Sequence, residues 1–101
     1  MMEVITVEEA LRLGKQEKVL ILDLRPPGSY RQFHIDNAVL YSLDKIENRE
    51  FCLPKEYCII LYCERGGLSL MAARILDKEG FCAKTVIGGM QAYREYMRRM
   101  D

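Results

Sequence analysis

The sequence carries no excess of either charge, no long apolar run, one histidine and no cysteines spaced C-x-x-C. Lys plus Arg number 15, and so do Asp plus Glu, so no overall field draws the chain to nucleic acid or to an acidic membrane. The C-terminal Arg94, Arg98 and Arg99 are diluted by Glu95 and Asp101 and read as a solvated helix face. No segment approaches the ~20 apolar residues that cross a bilayer. Met1-Met2-Glu3-Val4 lacks the basic start and apolar core of a signal peptide. These absences predict a cytoplasmic protein with no membrane partner. With His34 as the only histidine, zinc-ligand spacing is missing and no metal site is expected. Cys58 and Cys63 fall on one predicted strand, too far apart to bond each other at ~3.3 Å per residue. The four cysteines are therefore expected as reduced thiols.

What is present is a globular composition. The 101 residues are 50% hydrophobic and 30% charged, enough for one domain, residues 1–101, around one core. No repeat or linker interrupts it.

Thr6-Val7-Glu8-Glu9 fits a capping box, with Thr6 as N-cap and Glu9 reaching back. Val7, Ala10 and Leu11 then line one helical face, and Gly14 is the expected C-cap. Val19 to Leu24 and Tyr57 to Tyr62 are short, nearly continuous apolar runs, as parallel strands buried on both faces require. Pro26-Pro27-Gly28 turns the chain, and a short helix is expected from Gly28 to Phe33. Ala38 to Tyr41 reads as a strand, and Leu43 to Glu47 as a short helix capped by Ser42. Leu68, Met71, Ala72, Ile75 and Leu76 follow helical spacing, with Gly80 closing the helix. A last strand spans Ala83 to Ile87, then a Gly88-Gly89 turn, then a helix with Met90, Tyr93 and Met97 on one face. Strands alternating with helices imply an α/β fold with a largely parallel sheet. Ligands in such folds bind beyond the carboxyl ends of the strands. Asp23 with Arg25, and Cys63 with its loop, emerge at those ends.

Cys63 stands where a buried strand ends and a helix begins, in Tyr62-Cys63-Glu64-Arg65-Gly66-Gly67-Leu68-Ser69. Backbone amides at a helix start favour the thiolate, which is the reactive form of cysteine. Gly66 and Gly67 let successive amides converge on one anion. Arg65 adds positive charge if it folds inward, and Ser69 can cap the helix or donate to the sulfur. Cys58 and Cys82 read as inert packing residues. Cys52, in a polar loop, reads the same way, with a resolving thiol as its other reading. Asp23 and Arg25 are read first as a structural pair and second as substrate contacts. His34 is read as a turn or packing residue, and Tyr41 and Tyr62 as core.

Three segments together resemble single-domain rhodanese-like sulfurtransferases. Asp23-Leu24-Arg25, Tyr30, His34-Ile35 and Ala38 are similar to the family's D-V-R…E-Y…G-H-I…A signature. Tyr62-Cys63-x-x-Gly66-x-x-Ser69 is similar to its active loop, and Gly80-Phe81…Val86-x-Gly88-Gly89-Met90 to its closing segment. The resemblance implies a three-layer domain with a central, mostly parallel sheet flanked by helices. It implies catalysis through a Cys63 persulfide that carries a sulfane sulfur from a small donor or protein persulfide to a thiol or cyanide-like acceptor. The loop amides of Glu64 through Ser69 would stabilise the persulfide, with Asp23 and Arg25 behind them. No metal or organic cofactor is implied.

The chain departs from the family at several places. Leu68 stands where many relatives carry arginine, and Glu64 puts a negative charge beside the sulfur. At ~7 Å that charge opposes a monoanion by roughly 0.6 to 2.4 kcal/mol for effective dielectrics of 80 to 20. A persulfide or protein-borne sulfur is therefore the expected donor in preference to thiosulfate. The same two residues keep open a second reading, a rhodanese-like binding or regulatory module with weak turnover. A phosphatase would need an arginine six residues after the cysteine, where this chain has Ser69. Ser29, Phe33 and Tyr93 replace the usual acidic residue, glycine and tryptophan, which concerns packing more than chemistry.

Overall fold

A computed structural model describes residues 1–100. Five strands form one sheet: β1 (Glu3–Ile5), β2 (Val19–Asp23), β3 (Ala38–Leu40), β4 (Cys58–Tyr62) and β5 (Cys82–Val86). Five helices join or follow them: α1 (Val7–Leu13), α2 (Pro27–Gln32), α3 (Leu43–Glu47), α4 (Gly67–Lys78) and α5 (Gly89–Met100). The sheet order is β1-β5-β4-β2-β3, and every neighbouring pair is parallel.

The apolar runs become the central strands for the reason their composition demands. Ile59, Ile60, Leu61 and Tyr62 of β4 are all fully buried, since side chains alternate between two covered faces. One face carries Ile21, Ile60, Tyr62 and Val86 against Val7 and Ala10 of α1 and Met90 and Tyr93 of α5. The other carries Leu22, Ile59, Leu61 and Ala83 against Ile46 of α3 and Ala72, Ala73 and Leu76 of α4. The result is three layers, helix–sheet–helix.

Chain direction sets where a crevice opens. From β2 the chain crosses to β3, towards one edge; from β4 it crosses to β5, towards the other. The carboxyl ends of the adjacent strands β2 and β4 therefore flank a topological switch point, where open α/β sheets hold their ligands.

Several local expectations change. β1 was not visible in the sequence: it is three residues long and only Ile5 is buried. The capping box at Thr6 and Glu9 forms as read. Gly14 caps α1 in a right-handed conformation, so its need is space: a Cβ there would lie 2.6 Å from Ile21 Cδ1. Ser42 has the N-cap backbone without a side-chain cap bond. The face of α4 is displaced, because Leu68 and Met71 are exposed while Ser69, Ala72, Ala73 and Leu76 are buried. Two alanines let the helix lie close on the sheet, and the larger side chains are turned away. Strand β5 ends at Val86, leaving Ile87 exposed, and Met97 of α5 is exposed too.

Candidate active site

The chain leaves β4 at Tyr62, passes through Cys63, Glu64 and Arg65, and enters α4 at Gly66. Gly66 is the N-cap of α4 with φ 110°, a conformation that suits glycine. The reversal points the helix's first amides back at the cysteine. Gly66 N donates to Cys63 Sγ at 3.1 Å and Ser69 N donates to it at 3.4 Å. The sequence reading placed the whole run from Glu64 to Ser69 around the sulfur; the amides that reach it are these two.

The loop's outer wall comes from α5. Met90 N donates to the Cys63 carbonyl at 2.9 Å and Gln91 N to the Glu64 carbonyl at 3.1 Å. This contact needs Gly89, whose φ is 53° and where a Cβ would collide with the Cys63 carbonyl. Gly88-Gly89 was read as a turn; it is also the surface on which the cysteine loop rests.

Ser69 does not cap α4 but stands beneath the sulfur. The Cys63 thiol donates to Ser69 Oγ at 3.6 Å, and Ser69 Oγ donates to the Gly66 carbonyl at 3.1 Å. Its remaining neighbour is Thr85 Oγ1 of β5, at 2.7 Å. Thr85 is buried, and because the one Ser69 hydroxyl proton goes to the Gly66 carbonyl, the Thr85 hydroxyl is left to donate to Ser69. The sequence reading missed Thr85. The sequence offered no signal for it, since Thr85 follows Lys84 in a short mixed strand.

Asp23 and Arg25 form the structural pair first read from the sequence. Arg25 Nε and Nη2 bind the Asp23 carboxylate, the latter at 2.8 Å, and Nη2 also donates to the Phe33 carbonyl at 2.5 Å. Tyr62 completes the group: its hydroxyl donates to Asp23 Oδ2 at 2.5 Å and accepts from Ile35 N at 3.1 Å. Burial, then the adjacent Asp23 carboxylate, push the Tyr62 phenol far above its ordinary range, so it stays a donor. Burial alone would lower the Arg25 guanidinium, but its bonds to Asp23 override that and raise it. This group ties the carboxyl ends of β2 and β4 to the segment before β3. His34 sits at its edge as a packing residue, stacked on Tyr30 with ring centroids 3.9 Å apart.

The charge beside the sulfur is also paired. Glu64 Oε2 lies 2.5 Å from Arg94 Nη1, and Glu64 Oε1 lies 3.7 Å from Arg25 Nη1. The sequence reading has Arg65 add positive charge beside the sulfur if it folds inward. Arg65 instead is exposed and makes no salt bridge among the described residues. It lines, with Cys63, Glu64, Gly67 and Leu68, an open pocket of about 360 Å³. Leu68, 52% exposed, also borders a second hollow of about 490 Å³ beside Arg25, Pro26, Pro27 and Tyr41. Among the described residues no cluster of three or more His, Cys, Asp or Glu could hold a metal ion, and no helix is long and apolar enough to cross a membrane.

The site is thus a cysteine at the carboxyl end of a central parallel strand, cradled by the amides that open the next helix, in an α/β fold. That combination has a family. Residues 6–96 match the rhodanese-like domain, and the chain belongs to that family. It is 31% identical over 94 residues to the thiosulfate sulfurtransferase GlpE of Coxiella burnetii, covering 92% of this chain and 88% of that one. It is 35% identical over 75 residues to a tRNA sulfurtransferase of Desulfurococcus amylolyticus, covering 74% of this chain but 15% of that much longer one. Among solved structures, a rhodanese homologue from Thermus thermophilus superposes with a TM-score of 0.69 at 34% identity, covering 91% and 99% of the two chains. Membership and these relatives support sulfur transfer as the general activity.

Proposed function

We propose that the protein moves a sulfane sulfur from a donor to a thiophilic acceptor through a persulfide on Cys63. The observation that carries this is the pair of amides, Gly66 N and Ser69 N, aimed at Cys63 Sγ at the mouth of an open pocket. The Cys63 thiolate attacks the sulfane sulfur of the donor. A new S–S bond forms, and the donor's own bond to that sulfur breaks, its electron pair leaving with the departing group. An acceptor thiolate or cyanide then attacks the outer sulfur and returns Cys63 as thiolate. The two amides favour negative charge at this place in both resting and loaded forms, as an oxyanion hole does. Ser69, held from behind by Thr85, keeps a hydroxyl at the same spot.

Thiosulfate becomes a donor worth testing. The sequence objection was the Glu64 carboxylate, and that carboxylate is engaged by Arg94 and Arg25. Arg65 then stands at the pocket as the cation with no salt bridge among the described residues, suited to a small dianion. The Coxiella relative's name points the same way. Leu68, exposed at the rim, supports the other reading: an apolar contact for a protein that delivers or takes sulfur, or a module that binds with weak turnover.

The reduced protein should gain the mass of one sulfur atom on incubation with thiosulfate or with a glutathione persulfide, and Cys63→Ser should gain none. An adduct that persists in Cys63→Ser removes the role from Cys63. No adduct on the folded, reduced wild type from either donor selects the binding module.

A further inference from the structure

A second thiol site lies at the opposite end of β4. Cys58 opens that strand and Cys82 opens its neighbour β5, and the two are paired in register. Register partners on adjacent parallel strands point to the same face of the sheet, and the strands lie about 4.8 Å apart. A disulfide needs Cα atoms roughly 4.4 to 6.8 Å apart. The two Sγ atoms are 2.9 Å apart, with the Cys82 thiol donating to Cys58. Neither sulfur is bonded, and Cys82 is exposed while Cys58 is half-buried. Lys84, two residues along the same face of β5 and held by Glu3, brings an ammonium close to the pair.

We propose that Cys58 and Cys82 form a dithiol site that reduces a low-molecular-weight disulfide and closes into a cross-strand disulfide, independently of Cys63. The exposed Cys82 thiolate attacks one sulfur of the small disulfide; a mixed disulfide forms and one small thiolate leaves. The Cys58 thiolate then attacks Cys82 Sγ, the Cys58–Cys82 bond forms and the second small thiolate leaves. Two protons pass from the cysteines to the released thiolates or solvent. The small disulfide gains two electrons and the protein loses two. Closure requires little movement, because register already holds the sulfurs in contact. Cys63 cannot take part within the same molecule: it follows the last residue of a strand that Cys58 begins, at roughly 3.3 Å per residue.

The test is to treat the reduced, full-length protein with oxidised glutathione and read intact mass and linked peptides. The wild type should lose two hydrogens, carry no lasting glutathione at Cys82, and yield one cross-linked pair, Cys58 with Cys82. Cys58→Ser should keep glutathione on Cys82, because the closing thiol is gone. Cys63→Ser should close the pair as the wild type does, which separates this site from the sulfur-transfer reading. A glutathione adduct that stays on Cys82 in the wild type, or a cross-link that engages Cys52 or Cys63 in place of this pair, overturns the proposal.

Discussion

Strand β4 places one cysteine at its start and another just past its end, and the two ends use the same side chain differently. At the carboxyl end, buried Cys63 accepts from two amides and its thiol donates to a serine backed by a threonine, with the Asp23–Arg25–Tyr62 group behind. At the amino end, Cys58 has as its nearest polar neighbour another thiol. Amides aimed at a sulfur favour negative charge on it. Burial, and then the neighbouring Cys82 thiol, hold the Cys58 thiol protonated. Parallel sheets build this difference in, because every crossover brings a helix start to the carboxyl ends of the strands and none to the amino ends. The surroundings of each cysteine follow from which end of the strand it occupies.

The largest expected difference is in stability. Asp23 is fully buried and accepts from both Arg25 and Tyr62. Asp23→Ala leaves the Arg25 cation buried with the Phe33 carbonyl and a more distant Glu64 carboxylate, which costs about 3–5 kcal/mol. Cys58→Ser, at the half-buried end, should cost about 1 kcal/mol or less. Denaturant midpoints of the two variants measure the contrast directly. A loss under about 1 kcal/mol for Asp23→Ala would mean that the carboxyl end is not held by this group.

A smaller effect tests how charge is arranged at Cys63. Arg94→Gln frees one oxygen of Glu64 and returns part of its repulsion to an incoming anion, at most about 2 kcal/mol. Loading by thiosulfate should slow severalfold, while loading by an uncharged sulfane donor stays within twofold or so. Equal slowing of both donors would show that Arg94 acts on the loop's shape and not on its charge.

Legibility from the sequence follows the range of the interaction. Local patterns were readable: the apolar runs of β2 and β4, the capping box at Thr6, and the glycine spacing after Cys63 that turns α4's amides on the sulfur. Each depends on residues within a few positions of one another. What was not readable depends on register and on crossings. Cys58 and Cys82 look like two unrelated packing cysteines until β4 and β5 are laid side by side. Glu64 looks like an unopposed charge until α5 brings Arg94 to it, 30 residues on. Thr85 has no visible purpose until β5 is placed under Ser69. The turn at Gly88-Gly89 was legible, but its contact with the Cys63 carbonyl was not. Gly14 shows the converse: the residue was noticed, and the reason for it was Ile21 on the next strand rather than the backbone angle.

The finest test of the comparison uses pH. Burial, and then the neighbouring Cys82 thiol, push the Cys58 thiol up from 9.0 to about 12. An unfolded chain releases that proton near 9.0, so between the two values the folded state binds more protons than the unfolded one. Stability therefore falls as pH rises through that window. Tyr62 and Tyr93 act in the same direction, but their ordinary value is 10.0, and those of Lys84 and Arg25 are 10.5 and 12.5. The interval from 9.0 to 10.0 thus reports chiefly on Cys58 among these groups. Denaturant midpoints measured across it under reducing conditions should decline in the wild type and decline less in Cys58→Ser. Tyr62→Phe should change this first interval less than Cys58→Ser does and flatten the fall mainly above 10.0. If Cys58→Ser tracks the wild type from 9.0 to 10.0, burial and the neighbouring thiol do not hold Cys58 protonated, and the contrast between the two ends of β4 rests on Cys63 alone.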